Sequence, residues 1–282
     1  MSSGEDEVWS EAVPLYESAY YRTEEAENVN VQLAANPSVG NKASVFAAMD
    51  YRSLEVVLFA YSADRGDTWQ EPAIVDRRRP EDAFESEGPS GIDIIISGGH
   101  QHLIWLAEPD SGCQLYQQWS EDDGRTWQPP AVVASGDSGC PSDYRLLSGA
   151  DDLLFLLTYR EGGAYLRAWN GEAWSEAESQ PTLADFIDPV TQRIVELDCQ
   201  QTKVVADNHL LVVGCGLSGA NQDIWLLERP LGGESEWFPE EGPPIWSEPI
   251  SLETGEDHLL DPLILSDSGD LLHTFWIASK PN

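Results

Sequence analysis

The chain has 282 residues, 41% of them hydrophobic, with 11 Trp, 9 Tyr and 7 Phe; that is ample apolar surface for a core and excludes a disordered chain. Its 50 Asp and Glu against 15 Lys and Arg give a formal net charge of -35, which excludes nucleic acid and anionic membrane as partners. No apolar run reaches the roughly 18 residues of a membrane span, and the opening MSSGEDEVW lacks basic and apolar signal regions; the chain reads as a monomer, cytoplasmic, or secreted if it is a piece of a longer chain.

Taken in chain order, the first element is a strand at 8–16, ending at VPLY, followed by a strand beginning near Val29. Then comes SADRGDTWQEPAIV (Ser62 to Val75), which returns almost residue for residue as SEDDGRTWQPPAVV (Ser120 to Val133). Between the two copies, Ile92 to Ser97, His102 to Ala107 and Gln114 to Ser120 read as three strands, and a fourth opens at the repeat Trp. A weaker copy, WNGEAWSEAES, keeps Gly171 three residues before Trp174, as Gly66 precedes Trp69 and Gly124 precedes Trp127. WSEAVPL from Trp9 and WSEPISL from Trp246 keep only the strand after the turn. Further inner strands begin near Tyr144, Gln200 and Pro262. Trp marks thus recur every roughly 50 to 70 residues, the size of one four-stranded propeller blade.

The expected fold is all-β: one β-propeller domain over 1–282, made of four-stranded antiparallel blades. Direct count favours five blades, with six, or a fragment of a larger propeller, as the alternative. The segment from 262 to 282 holds only part of a blade, so the strand at 8–16 is expected to pair with it and close the ring, leaving no long bare edge.

The pattern Ser-x-Asp-x-Gly-x-Thr-Trp, carried by Ser62, Asp64, Gly66, Thr68 and Trp69 and again by Ser120, Asp122, Gly124, Thr126 and Trp127, resembles the Asp box, or neuraminidase repeat, of the sialidase superfamily. Its chemistry is that of a turn: Gly supplies a positive φ, the Ser and Asp oxygens cap backbone N–H groups, and Trp wedges between sheets. The resemblance implies an exo-sialidase-type glycoside hydrolase with an axial pocket, or a non-catalytic module that binds a glycan or a protein. In that family the boxes lie away from the substrate, which is met by the loops joining second to third strand and outer strand to next inner strand.

In sialidases three arginines hold the substrate carboxylate, a Tyr activated by Glu attacks the anomeric carbon, and an Asp is the acid and base. Carried onto the corresponding loops of this chain, the resemblance offers Tyr159, Glu161 and Asp143 as catalytic candidates, and Arg22, Arg52, Arg145, Arg160 and Tyr51 for substrate binding. The family's Arg-Ile-Pro segment is absent: the corresponding region reads NVNVQLAANPS. Tyr21, Trp119, Tyr159 and Trp225 are the aromatic candidates of the binding-module alternative.

No cofactor and no metal is expected. His100, His102, His209, His258 and His273 have no metal-site or triad spacing and read as structural. The acidic turns lack the alternating oxygen ligands and distal Glu of a calcium loop. Cys113, Cys140, Cys199 and Cys215 show no CxxC spacing and read as buried thiols, with a cross-strand Cys199 to Cys215 pair as the alternative.

Overall fold

The computed structural model describes residues 12, 14–15, 29–36, 44–51, 55–77, 89–107, 112–135, 140–149, 153–160, 163–180, 196–197, 202–206, 209–218, 221–231, 246–252, 259–266 and 272–278. The chain divides into two compact units, Met1–Ile96 with His100–Asp137, and Ser97–Gly99 with Ser138–Asn282. Every element among the described residues is a β-strand.

The first unit holds two sheets. Strands β1 (Val29–Asn36), β2 (Ser44–Tyr51), β3 (Val56–Ser62) and β4 (Ala73–Arg77) pair in that order, as do β5 (Ser90–Ser97), β6 (His100–Ala107), β7 (Gln114–Ser120) and β8 (Ala131–Ser135). All neighbours are antiparallel. Each sheet is thus a meander of consecutive strands, the arrangement of a propeller blade. Phe46, Ala48, Val57 and Phe59 pack with Ile92, Ile94, Leu103, Trp105 and Tyr116 between the two sheets. Fully burying a side chain such as Phe46 contributes about 1.5–3 kcal/mol. Asp50, wholly buried, adds a polar tie: its carboxylate accepts from Asn30 N and Nδ2 in its own sheet and from Ile92 N in the next, at 2.9 to 3.2 Å.

The second unit repeats the pattern in β9 (Asp143–Ser148), β10 (Leu154–Arg160), β11 (Gly163–Trp169) and β12 (Glu178–Gln180), paired consecutively. In the next sheet β13 (Glu196–Leu197) and β14 (Thr202–Ala206) both pair with β15 (His209–Ser218), which continues to β16 (Asn221–Pro230) and β17 (Ile250–Ser251). The inner strand expected near Gln200 is therefore two short pieces. A hairpin of β18 (Leu259–Ser266) and β19 (Leu272–Ala278) ends the described chain. The core between the two larger sheets is Phe155, Leu157, Ala164, Leu166 and Ala168 against Leu210 and Leu231. Arg229, fully buried on β16, grips Glu178 of β12 with Nη1 at 2.6 Å and Nη2 at 2.9 Å.

Two expectations are corrected. The fourth strand does not open at the repeat Trp: β4 and β8 begin at Ala73 and Ala131, just past Pro72 and Pro130. Proline has no N–H for a ladder bond; the preceding stretch is tied by Gln70 N to Tyr61 O and Gln128 N to Trp119 O, both 2.9 Å, and in the second copy also by Gln118 Nε2 to Gln128 O at 2.9 Å. The cysteines are also not thiols: Cys113, Cys140 and Cys215 are disulfide-bonded, and no described cysteine is free. Burial alone, 8% exposure at Cys113 and 0% at Cys215, suits either state. The strand expected at 8–16 lies almost wholly outside the described residues, but Leu15 packs against the buried cluster of Ala47, Met49, Tyr51, Val56, Leu58 and Ala60.

Candidate functional site

The repeated turns are built from their own side chains. Ser62 Oγ accepts from Gly66 N at 2.7 Å and donates to Asp64 at 2.8 Å, and the Asp64 carboxylate accepts from Thr68 N at 2.8 Å. The second copy matches: Gly124 N to Ser120 Oγ at 2.9 Å, Ser120 Oγ to Asp122 at 2.9 Å, and Thr126 N to Asp122 at 2.8 Å. These bonds hold the carboxyls of Asp64 and Asp122 below the usual range, chiefly through Thr68 and Thr126. Gly66 and Gly124 have φ of 95° and 79°. Every oxygen so engaged serves the turn, and the chemistry of the molecule must lie elsewhere.

Of the candidate residues, Asp143, Arg145, Tyr159, Arg160 and Tyr51 are described, whereas Glu161, Arg22 and Arg52 lie outside the described residues. Asp143 opens β9 and Tyr159 lies near the end of β10, directly opposite it; Arg145 faces Leu157 one step along. Alternation along a strand puts Asp143, Arg145 and Leu147 on one face with Phe155, Leu157 and Tyr159. Tyr159 packs partly on the Phe155–Leu157 core, and its carbonyl accepts Ser142 N at 2.8 Å. Asp143 is exposed and accepts Tyr144 N at 2.9 Å.

Burial, reinforced by the Asp143 charge and opposed by Arg145, pushes the Tyr159 hydroxyl up to about 12. At neutral pH the phenol therefore keeps its proton. It can donate a hydrogen bond, and to act as a nucleophile it needs a carboxylate to take that proton. Asp143 stands across the ladder from it. Arg145, exposed on the same face, supplies a fork of donors for a carboxylate or hydroxyl pair.

The remaining candidates go elsewhere. Arg160 follows Tyr159 directly, so the pleat turns it to the opposite face of the sheet. Tyr51, 2% exposed, packs with Ala47, Met49, Val56, Leu58 and Ala60 in the first unit; its ring belongs to that core. Trp225 is 2% exposed, and its Nε1 donates to Gly216 O at 3.2 Å, so it offers no open stacking surface. Trp119 is partly buried beside His100 and His102, and His102 Nδ1 lies 3.3 Å from Gln117 Nε2.

What the described sheets define is an all-β chain of antiparallel sheets, three of them four-stranded meanders of consecutive strands. No family model matches it, and no curated protein matches it. Among solved structures it is similar to a Hadza microbial sialidase, at 13% identity and a TM-score of 0.47, over 87% of this chain and 52% of that one. It is similar to the intramolecular trans-sialidase from Ruminococcus gnavus, solved in complex with oseltamivir carboxylate, at 14% identity and a TM-score of 0.45, over 88% of this chain and 54% of that one. A GH43 endo-arabinanase from Bacillus licheniformis gives 12% identity and a TM-score of 0.39, over 90% of this chain and 95% of that one. The chain thus spans about half the length of the two sialidases.

Proposed function

We propose that this protein is a sialidase-like, glycan-active β-propeller that acts on a terminal sugar at the strand ends carrying Asp143, Arg145 and Tyr159. The observation that carries the reading is the cross-strand pair: a phenol that keeps its proton stands opposite an exposed carboxylate, with a guanidinium on the same face. In this reading Asp143 moves the proton, Tyr159 meets the anomeric carbon, and Arg145 orients the sugar. The Ser-x-Asp-x-Gly-x-Thr-Trp turns support assigning the sheets to the Asp-box kind. The sequence repeat supports five blades in one domain over 1–282. Disulfide-bonded cysteines support an oxidising compartment, hence secretion over the cytoplasm.

The test is a panel of fluorogenic sialosides and other glycosides, with Asp143→Asn and Tyr159→Phe as controls. Turnover reduced at least about 100-fold in both variants is expected; no turnover above heat-killed protein across the panel refutes the enzymatic reading. One observation favours a second reading, a non-catalytic glycan-binding module: the Arg-Ile-Pro segment of sialidases is absent, the corresponding region reading NVNVQLAANPS. Binding on a glycan array, lost in Tyr159→Phe and without hydrolysis, decides for it.

A further inference from the structure

The third copy of the repeated turn differs from the first two at its glycine. In the intact copies the glycine nitrogen is engaged: Gly66 N donates to Ser62 Oγ at 2.7 Å and Gly124 N to Ser120 Oγ at 2.9 Å. In each, the serine stands four residues before the glycine. Before Gly171 that place is taken by Arg167, and the place of the aspartate by Trp169. The turn is held by Asn170 instead, whose Oδ1 accepts from Glu172 N at 3.0 Å and from Ala173 N at 2.9 Å. Trp169 and Trp174 pair across it, their ring centroids 5.5 Å apart.

An asparagine followed by glycine carries an electrophile, its side-chain amide carbon, beside a nucleophile, the next backbone nitrogen, in an arrangement that closes a small ring. Asn170 and Gly171 are the one such pair in the sequence; the other asparagines precede Val, Pro, Lys, His or Gln, or end the chain. Both residues are exposed. Gly171 has a φ of 96°, and a Cβ built on it would meet no atom within 4 Å, so the turn is open to water on that side and glycine sets no side chain beside its own nitrogen. When Cγ is attacked, negative charge gathers on Oδ1, where two N–H groups already point.

We infer that Asn170 is a site of spontaneous deamidation. Gly171 N bonds to Asn170 Cγ and gives its proton to solvent; the bond from Cγ to Nδ2 breaks, and Nδ2 takes a proton from water and leaves as ammonia. Water then opens the cyclic imide. Attack at the side-chain carbon gives aspartate, and attack at the backbone carbon gives isoaspartate. The two products act oppositely on the turn. Aspartate keeps an oxygen acceptor for both N–H groups and adds charge to it, an acidic cap of the kind that Asp64 and Asp122 supply. Isoaspartate runs the main chain through Cβ, which lengthens it and takes the caps and the Trp169 to Trp174 bridge out of register. Trp169 faces Leu154 at one end of the β10–β11 ladder, and Tyr159 faces Ala164 near the other, so glycan turnover and deamidation succeed or fail separately.

The experiment is to age the full chain in warm, mildly alkaline buffer, with and without urea, and to map its peptides by mass with the aspartate and isoaspartate forms separated. In the folded protein Asn170 is expected to convert at least about tenfold faster than any other asparagine, with a lower-melting fraction growing in step with isoaspartate. Asn170→Gln, whose longer side chain does not close the same ring, should stay unconverted. Asn170→Asp should melt with the fresh wild type, since it keeps the cap. Conversion no faster than at the other asparagines overturns the inference, as does conversion confined to urea. The same mass gain in this peptide of Asn170→Gln would place the reaction at another residue and overturns it equally.

Discussion

Replacing Gly124 by alanine should cost far more than the same change at Gly66, although both occupy the same place in the repeated turn. At each, a Cβ must be held at positive φ, 95° at Gly66 and 79° at Gly124, which costs about 1–3 kcal/mol. The surroundings differ. A Cβ at Gly66 meets only the Trp69 ring at 3.8 Å, an ordinary contact, whereas at Gly124 it would lie 2.0 Å from Phe59 Cε1 and 2.5 Å from Cζ. Phe59 cannot swing away at no cost: it is 3% exposed, packs edge-on against Trp127 at 5.0 Å, and lies 5.8 Å from Phe46. Such overpacking adds about 1–3 kcal/mol, so Gly124→Ala should lose about 2–6 kcal/mol in all, against about 1–3 for Gly66→Ala. Urea unfolding followed by Trp fluorescence gives both values from the shift in midpoint. Equal losses would refute the close approach of the Phe59 ring to this turn, and with it the reason for glycine there beyond its φ. Restoring space with Phe59→Leu should recover part of the Gly124→Ala loss and none of that at Gly66.

Other consequences can be measured independently. Arg229→Met should lower stability by about 3 kcal/mol, the low end for breaking a buried ion pair, because Glu178 retains 30% exposure; Arg229→Lys should recover little of it, since an ammonium cannot match both carboxylate oxygens, and calorimetry of the three proteins decides. The Tyr159 hydroxyl should ionise near 12, seen as a late step at 295 nm that vanishes in Tyr159→Phe. Its raised value favours the folded state below the ordinary tyrosine range, about 10, and that stabilisation is lost as pH climbs from there through about 12. Asp64 and Asp122 have the opposite sign. Their depressed values mean a contribution present above the ordinary Asp range and lost as acid protonates the folded carboxylates, so Asp122→Asn should lower Tm at pH 7 and narrow the gap to wild type in strong acid.

The fold was legible because the repeat is written in residues with fixed jobs. The third strand of the second sheet, Gln114 to Ser120, is bounded in the structure as it is in the sequence, since polar turns stop it at both ends. Positions that depended on a side chain's neighbours were less visible. The outer strands begin after Pro72 and Pro130 because the missing N–H outweighs the Trp signal. Tyr51 sits one residue from an unread boundary, and on a strand one residue decides between core and rim. Disulfide bonding of Cys113 and Cys140 could not be read, because cysteine spacing leaves connectivity open, and for Cys215 it stood only as the alternative to a buried thiol.

The same rule of alternation bears hardest on the site. A loop-based reading gathers Tyr159, Arg160 and Glu161 as neighbours, since they follow one another in sequence. A strand cannot do this: Tyr159 and Arg160 both still lie on the β10 ladder, paired to Ala164 and Gly163, so their side chains leave the sheet on opposite faces. A site using Tyr159 must recruit its cation from β9, where Arg145 and Asp143 share its face, and not from the arginine next door. Arg160 instead leaves the sheet on the face that carries Tyr165 and Arg167 of β11. One residue of register thus separates two side chains that the sequence presents as neighbours of one site.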